Sequence, residues 1–194
     1  MKKCMLLLAA LLLLTGCQIH HTLKEPEIVL GEPLPPINVV MSGDVPAPLI
    51  RNYLRGTGAF EQVTEGYDRN GYNLVVISQS NYWQWHNIPR MFLSAFTFFL
   101  VPAPTYWDSR IGFLVSKGEK PLRSYEIANH TEHRIGLIPT GDARGANVRV
   151  IVDTFVAQVL ADPPFDKVAY EQSENASFST SGGRDCGKPG CLIE

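Results

Sequence analysis

Most of the marks that announce an activity are missing from these 194 residues. There is no basic excess: 17 Lys and Arg stand against 19 Asp and Glu, so the positive face that a nucleic-acid partner calls for is not supplied. No apolar run reaches the roughly 20 residues of a membrane-spanning helix. The two longest that stand out are 5–14, wholly apolar, and 91–101, in which only Ser94 and Thr97 are polar. The chain also lacks a Gly-x-Ser-x-Gly elbow, a His-Glu-x-x-His helix and a Gly-Lys-Ser/Thr phosphate loop. Gly56-Thr57-Gly58 is no substitute, because it follows a predicted helix instead of joining a strand to one. No internal repeat is present. These absences remove the common nucleotide-binding and hydrolase readings, and no cofactor, metal site or catalytic residue is assigned.

What is present begins at the N-terminus. Lys2 and Lys3 give a positive start, residues 5–14 form a short apolar core, and small Thr15 and Gly16 precede Cys17. This is the layout of a secretion signal, too short to span a bilayer. Leu14-Thr15-Gly16-Cys17 resembles the lipobox of bacterial lipoproteins, in which the cysteine receives lipid and becomes the mature N-terminus. The resemblance implies cleavage after residue 16, lipidation of Cys17 and a membrane partner through that lipid. Gln18 is not the aspartate of an inner-membrane retention signal, so the implied address is the outer membrane, facing the periplasm. Two or three acyl chains, each methylene contributing about 0.8 kcal/mol, hold firmly.

That assignment changes the cysteine count. Cys4 leaves with the leader and Cys17 is committed to lipid, so only Cys186 and Cys191 remain. They bracket Gly187-Lys188-Pro189-Gly190, which can turn the chain, and the periplasm is oxidising, so a short-loop disulfide is expected. A lone pair at this spacing is a poor zinc site.

Segments 17–36, 37–165 and 166–194 differ in composition. The first carries Pro26, Pro33, Pro35 and Pro36 and reads as a lipidated tether, with His20 and His21 solvated in it. The last is rich in serine and glycine and reads as a disordered tail. Between them the hydrophobic pattern predicts strands at 37–41, 60–64, 72–78, 111–116, 122–128 and 134–138, with helices after Pro48 and over 148–160. Leu74, Val75, Val76 and Ile77 form a continuous run expected of a strand covered on both faces. The sum is a single small α/β (α+β) domain, a mixed or mostly antiparallel sheet with two helices on one face. In coarse order it resembles periplasmic domains such as the N-terminal domain of TolB or the curli secretion lipoprotein.

The oddest stretch is 91–101. Aromatic residues bracket it: Trp83 and Trp85 before, Trp107 after, with Phe92, Phe96 and Phe99 inside. On a helix Ser94 and Thr97 share one narrow stripe, and every other side is apolar. Either this segment fills a core or it meets a membrane or partner at an aromatic-rimmed surface. The leading reading is a non-enzymatic interaction or assembly module that docks on an envelope protein partner through 82–107. Two alternatives are a hydrolase with a site near His130 and His133, and a subunit of an oligomeric membrane pore. Against the hydrolase, two histidines three apart on a strand point to opposite faces, and nothing in the sequence pairs Asp108, Asp142 or Asp153 with a nucleophile.

Overall fold

A computed structural model describes residues 19–83, 88–98, 101–135 and 141–165. Its frame is one mixed sheet of six strands. The β-branched run at 37–41 forms β2 (Ile37–Gly43), and the chain then enters α1 (Ala47–Thr57) with Pro48 in the first turn, where a missing N–H costs nothing. Gly58, at φ 67°, ends the helix in the left-handed conformation, and its N–H bonds the Arg55 carbonyl at 3.2 Å. The chain returns as β3 (Val63–Glu65) and then β4 (Tyr72–Trp83), both parallel to β2. After α2 (Ile88–Phe96) come β5 (Ala103–Lys117) and β6 (Lys120–Ile135), a long antiparallel hairpin closed at Gly118 and Glu119. Finally α3 (Ala143–Ala161) crosses the sheet. The strand order is β1-β6-β5-β4-β2-β3, β1 being Ile19–His21.

Alternation along the strands decides which face is buried. Val39, Leu74 and Val115 lie in one register row, and each is at most 3% exposed. Against this face pack Ile50 and Leu54 of α1 and Val148, Ile151, Val152, Phe155, Val156 and Val159 of α3, all fully buried. Phe113 and Phe155 stack at 4.2 Å, with Tyr125 edge-on to Phe155 at 5.3 Å. The opposite face is open. Ile77 is 63% exposed there, so the run 74–77 is covered on one face only, because both long helices lie on the same side.

Several expected elements change extent. The strands predicted at 72–78, 111–116 and 122–128 run on to the longer limits given above, and the separate strand expected at 134–138 is the end of β6 as far as Ile135. The strand expected at 60–64 splits into an isolated bridge between Phe60 and Leu34 and the short β3. The helix expected over 148–160 begins earlier, at Ala143, and includes Gly145. The supposed tether is also partly built into the domain: Ile19–His21 adds an antiparallel strand to the edge of β6, and Leu34, 7% exposed, exchanges backbone hydrogen bonds with Ala59 and Glu61. An unpaired sheet edge is a ready template for an extended segment, which proline-poor 19–21 provides.

Phe155→Ala should lower stability by about 3–5 kcal/mol, since it empties a stacked and fully buried site. Ile77→Ser on the open face should change it by only about 0.5 kcal/mol. Urea titration of both variants checks the one-sided core.

Candidate interaction surface

α2 is amphipathic in the reverse sense for a water-soluble fold. Ser94 faces the protein and is fully buried, while Arg90 in the first turn is exposed. The apolar side chains face outward, with Phe92 73% and Phe96 86% exposed, and Ile88, Met91 and Leu93 also exposed. The helix leans on β5. Its C-terminal turn is held by Thr97, whose hydroxyl donates to the carbonyls of Leu93 and Ser94 and accepts from the Val101 N–H. Phe98 follows at φ 52°, 80% exposed. A bulky side chain in the left-handed region costs roughly 1–2 kcal/mol where glycine would cost nothing. The chain therefore keeps an exposed phenylalanine at a position whose backbone disfavours it.

The structure divides the sequence-predicted contact residues. Phe92 and Phe96 lie together on the outer side of α2. Trp107 is half-buried on the helix-covered face, its ring 4.3 Å from Tyr82, with the Arg144 guanidinium 5.9 Å over it. It braces the root of the segment instead of facing outward with the phenylalanines. Trp83 ends β4, paired with Tyr106 of β5. Trp85, Phe99, Cys17, Cys186 and Cys191 lie outside the described residues, as does the side chain of Trp83.

Below α2 the sheet carries a buried polar layer that the sequence reading missed. Asn147 of α3 is fully buried, and its amide donates to the Thr131 hydroxyl at 2.6 Å. That hydroxyl in turn lies 2.8 Å from Nδ1 of His21, the residue expected to be solvated. Asn129 accepts from the Thr22 hydroxyl and the Leu23 N–H, at 3.2 and 3.1 Å. The Thr131 hydroxyl, which accepts from Asn147, can donate its own proton to Nδ1 when the imidazole is neutral. Burial pulls the His21 pKa below its ordinary 6.5, more than Glu25 restores it, with His20 adding to the depression. The alternating polar residues Asn129, Thr131 and His133 in β6 were the available sequence signal, but only packing shows that the first two point inward.

The histidine cluster separates as strand geometry requires. His130 stands on the open face, its Nδ1 2.6 Å from Asp108 Oδ1 and its ring stacked on Tyr106 at 5.5 Å. Register places Asp108 opposite His130, a pairing invisible in the sequence because 22 residues separate them. His133 sits on the other face of β6, across from Thr105. The pair opens on a shallow groove of about 510 Å³, whose lining includes Gln79, Asn81 and Arg110. An imidazole oriented by a carboxylate can accept a proton, but among the described residues no three His, Cys, Asp or Glu side chains gather as a metal site.

Two outcomes follow from this geometry. A histidine with a depressed folded pKa gives stability that is present above about pH 6.5 and lost as pH falls through the folded value. Asp153, raised by burial from 3.8, acts in the opposite sense in a more acidic range. The urea midpoint should therefore drop between about pH 7.5 and 5.5, and His21→Gln should flatten that slope. Phe98→Gly should raise stability by about 1 kcal/mol, measured the same way, since it relieves the left-handed backbone.

No family model matches the chain, and no curated protein does. Among solved structures it is loosely similar to a minor lipoprotein from Acinetobacter baumannii (10% identity, 66% of this chain and 90% of that one, TM-score 0.34). It is similar at the same level to the rare lipoprotein B from Shewanella oneidensis (12% identity, 73% and 98%, TM-score 0.30). The PelC dodecamer from Paraburkholderia phytofirmans is a third (14% identity, 75% and 95%, TM-score 0.29).

Proposed function

We propose that the protein is a lipid-anchored outer-membrane lipoprotein, facing the periplasm, that works as a non-enzymatic interaction module with α2 as its contact surface. One observation carries this reading: a nine-residue helix buries its serine and exposes two phenylalanines, with a third held exposed on a disfavoured backbone. Covering each phenylalanine would stabilise a contact by about 1.5–3 kcal/mol, enough in sum for a specific association. The signal and Leu14-Thr15-Gly16-Cys17 supply the address and the anchor.

The Asp108–His130 pair favours a second reading, a hydrolase in which Asp108 orients His130 as a general base. In that reading His133 has no part, since it lies on the opposite face.

The double variant Phe92→Ser, Phe96→Ser should keep its circular dichroism spectrum and melting temperature. Photo-cross-linkers at 92 and 96, which capture an envelope component in the native background, should lose that capture when the neighbouring phenylalanine is replaced. A double variant that unfolds would make the segment core and end the contact reading. Cys17→Ser should abolish incorporation of labelled fatty acid. Turnover of ester substrates that vanishes in His130→Ala would favour the hydrolase instead.

A further inference from the structure

We infer that the surface covering α2 is the lipid bilayer holding the Cys17 anchor, so that the domain lies on its membrane instead of hanging from it. This rests on the lipid-anchor reading above and names the occupant of the same contact surface. The argument comes from strand register. One row across the sheet reads Trp83, Tyr106, Glu132, His20, and the row beyond it places Thr105, His133 and Ile19 side by side. β4 departs toward α2 at Trp83, and β5 returns from it at Ala103. Ile19 is therefore at the end of the sheet from which α2 emerges.

Direction matters as much as position. β1 is antiparallel to β6, so followed backward from Ile19 the chain heads the way β6 runs toward Ile135 and β4 runs toward Trp83. Only Gln18 separates Ile19 from Cys17, and two steps of extended chain span at most about 7 Å. Three strand spacings of about 4.8 Å place β1 roughly 14 Å from β4, comparable with the length of a nine-residue helix at about 1.5 Å per residue. Lipid on Cys17 thus brings the bilayer surface to the end of the domain that carries Phe92, Phe96 and Phe98.

Holding the domain away would require β1 to peel off. That would break the ladder over Ile19–His21, the His21–Thr131 contact and the bonds that join Thr22 to Asn129 and His130. The charge pattern fits the same occupant. Between Tyr82 and Trp107 there is no acidic residue, and Arg90 is exposed on α2, in a chain that is acidic overall. A short helix with a wide apolar face and one cation suits the boundary of an anionic bilayer, entered to about 5–10 Å without crossing it. Tyr82, Tyr106 and Trp107 lie at its root, where amphipathic rings meet the headgroups.

The test uses the full lipidated chain in vesicles of phosphatidylethanolamine and phosphatidylglycerol with no other protein. An environment-sensitive fluorophore or photo-cross-linker is placed at 92 or 96, and at 77 on the open face as a control. Probes at 92 and 96 should shift to the blue, be quenched by brominated acyl chains and cross-link to lipid, whereas 77 should stay in water. Inserting about 20 Gly and Ser residues between Gln18 and Ile19 should reduce quenching several-fold, because it lowers the effective concentration of α2 at the surface. If lipidated protein keeps 92 and 96 in water on these vesicles, the inference is overturned. Should those positions then cross-link to a protein in intact envelopes, the contact reading survives without it; if they cross-link to nothing there, both fail. Absence of acyl label on Cys17 would remove the anchor separately.

Discussion

Everything distinctive in this structure depends on the sheet being covered on one face only. α1 and α3 lie on the same side, and the apolar row running through Val39, Leu74 and Val115 is what they bury. The other face is left to polar residues, the Asp108–His130 pair and a few exposed apolar residues such as Ile77. With one core on one side, α2 has no apolar layer of its own to join. It can turn only its serine toward the protein, and its phenylalanines are left outside.

The same constraint produces two different ends. Near the β5–β6 turn the covered face is apolar and close-packed, with Phe113 stacked on Phe155. Toward α2 it becomes polar, and Asn129, Thr131 and Asn147 bury amides and a hydroxyl that must find partners inside. The N-terminal strand supplies some of them. Several hydrogen bonds inside this layer also hold β1 down, the His21–Thr131 contact among them. Stability, pH response and the placement of Ile19 share a single set of contacts.

Much of the fold was legible in advance where the pattern was local. Pro48 marked the start of α1, and the β-branched run at 37–41 became β2. Lengths were less legible. β4, β5 and β6 extend through Gln79, Asn81, Arg110 and Asn129, residues with little strand preference, because a neighbouring strand offers them a ladder. The candidate surface was half visible: the aromatic composition of 91–101 was plain, whereas its exposure, and the inward turn of Trp107, depended on what packs above and below.

By itself the sequence determined the short apolar run ahead of Cys17, the mixed α+β class and the narrow polar stripe of Ser94 and Thr97. All of these are set by neighbours within a few residues. Only the tertiary structure decided that Ser94 faces inward, that Asp108 meets His130, that His21 is drawn into a part-buried network, and that Ile19 and α2 share one end of the sheet. Each of those joins residues far apart in the chain, and strand register brings such residues together at a spacing that no local pattern encodes.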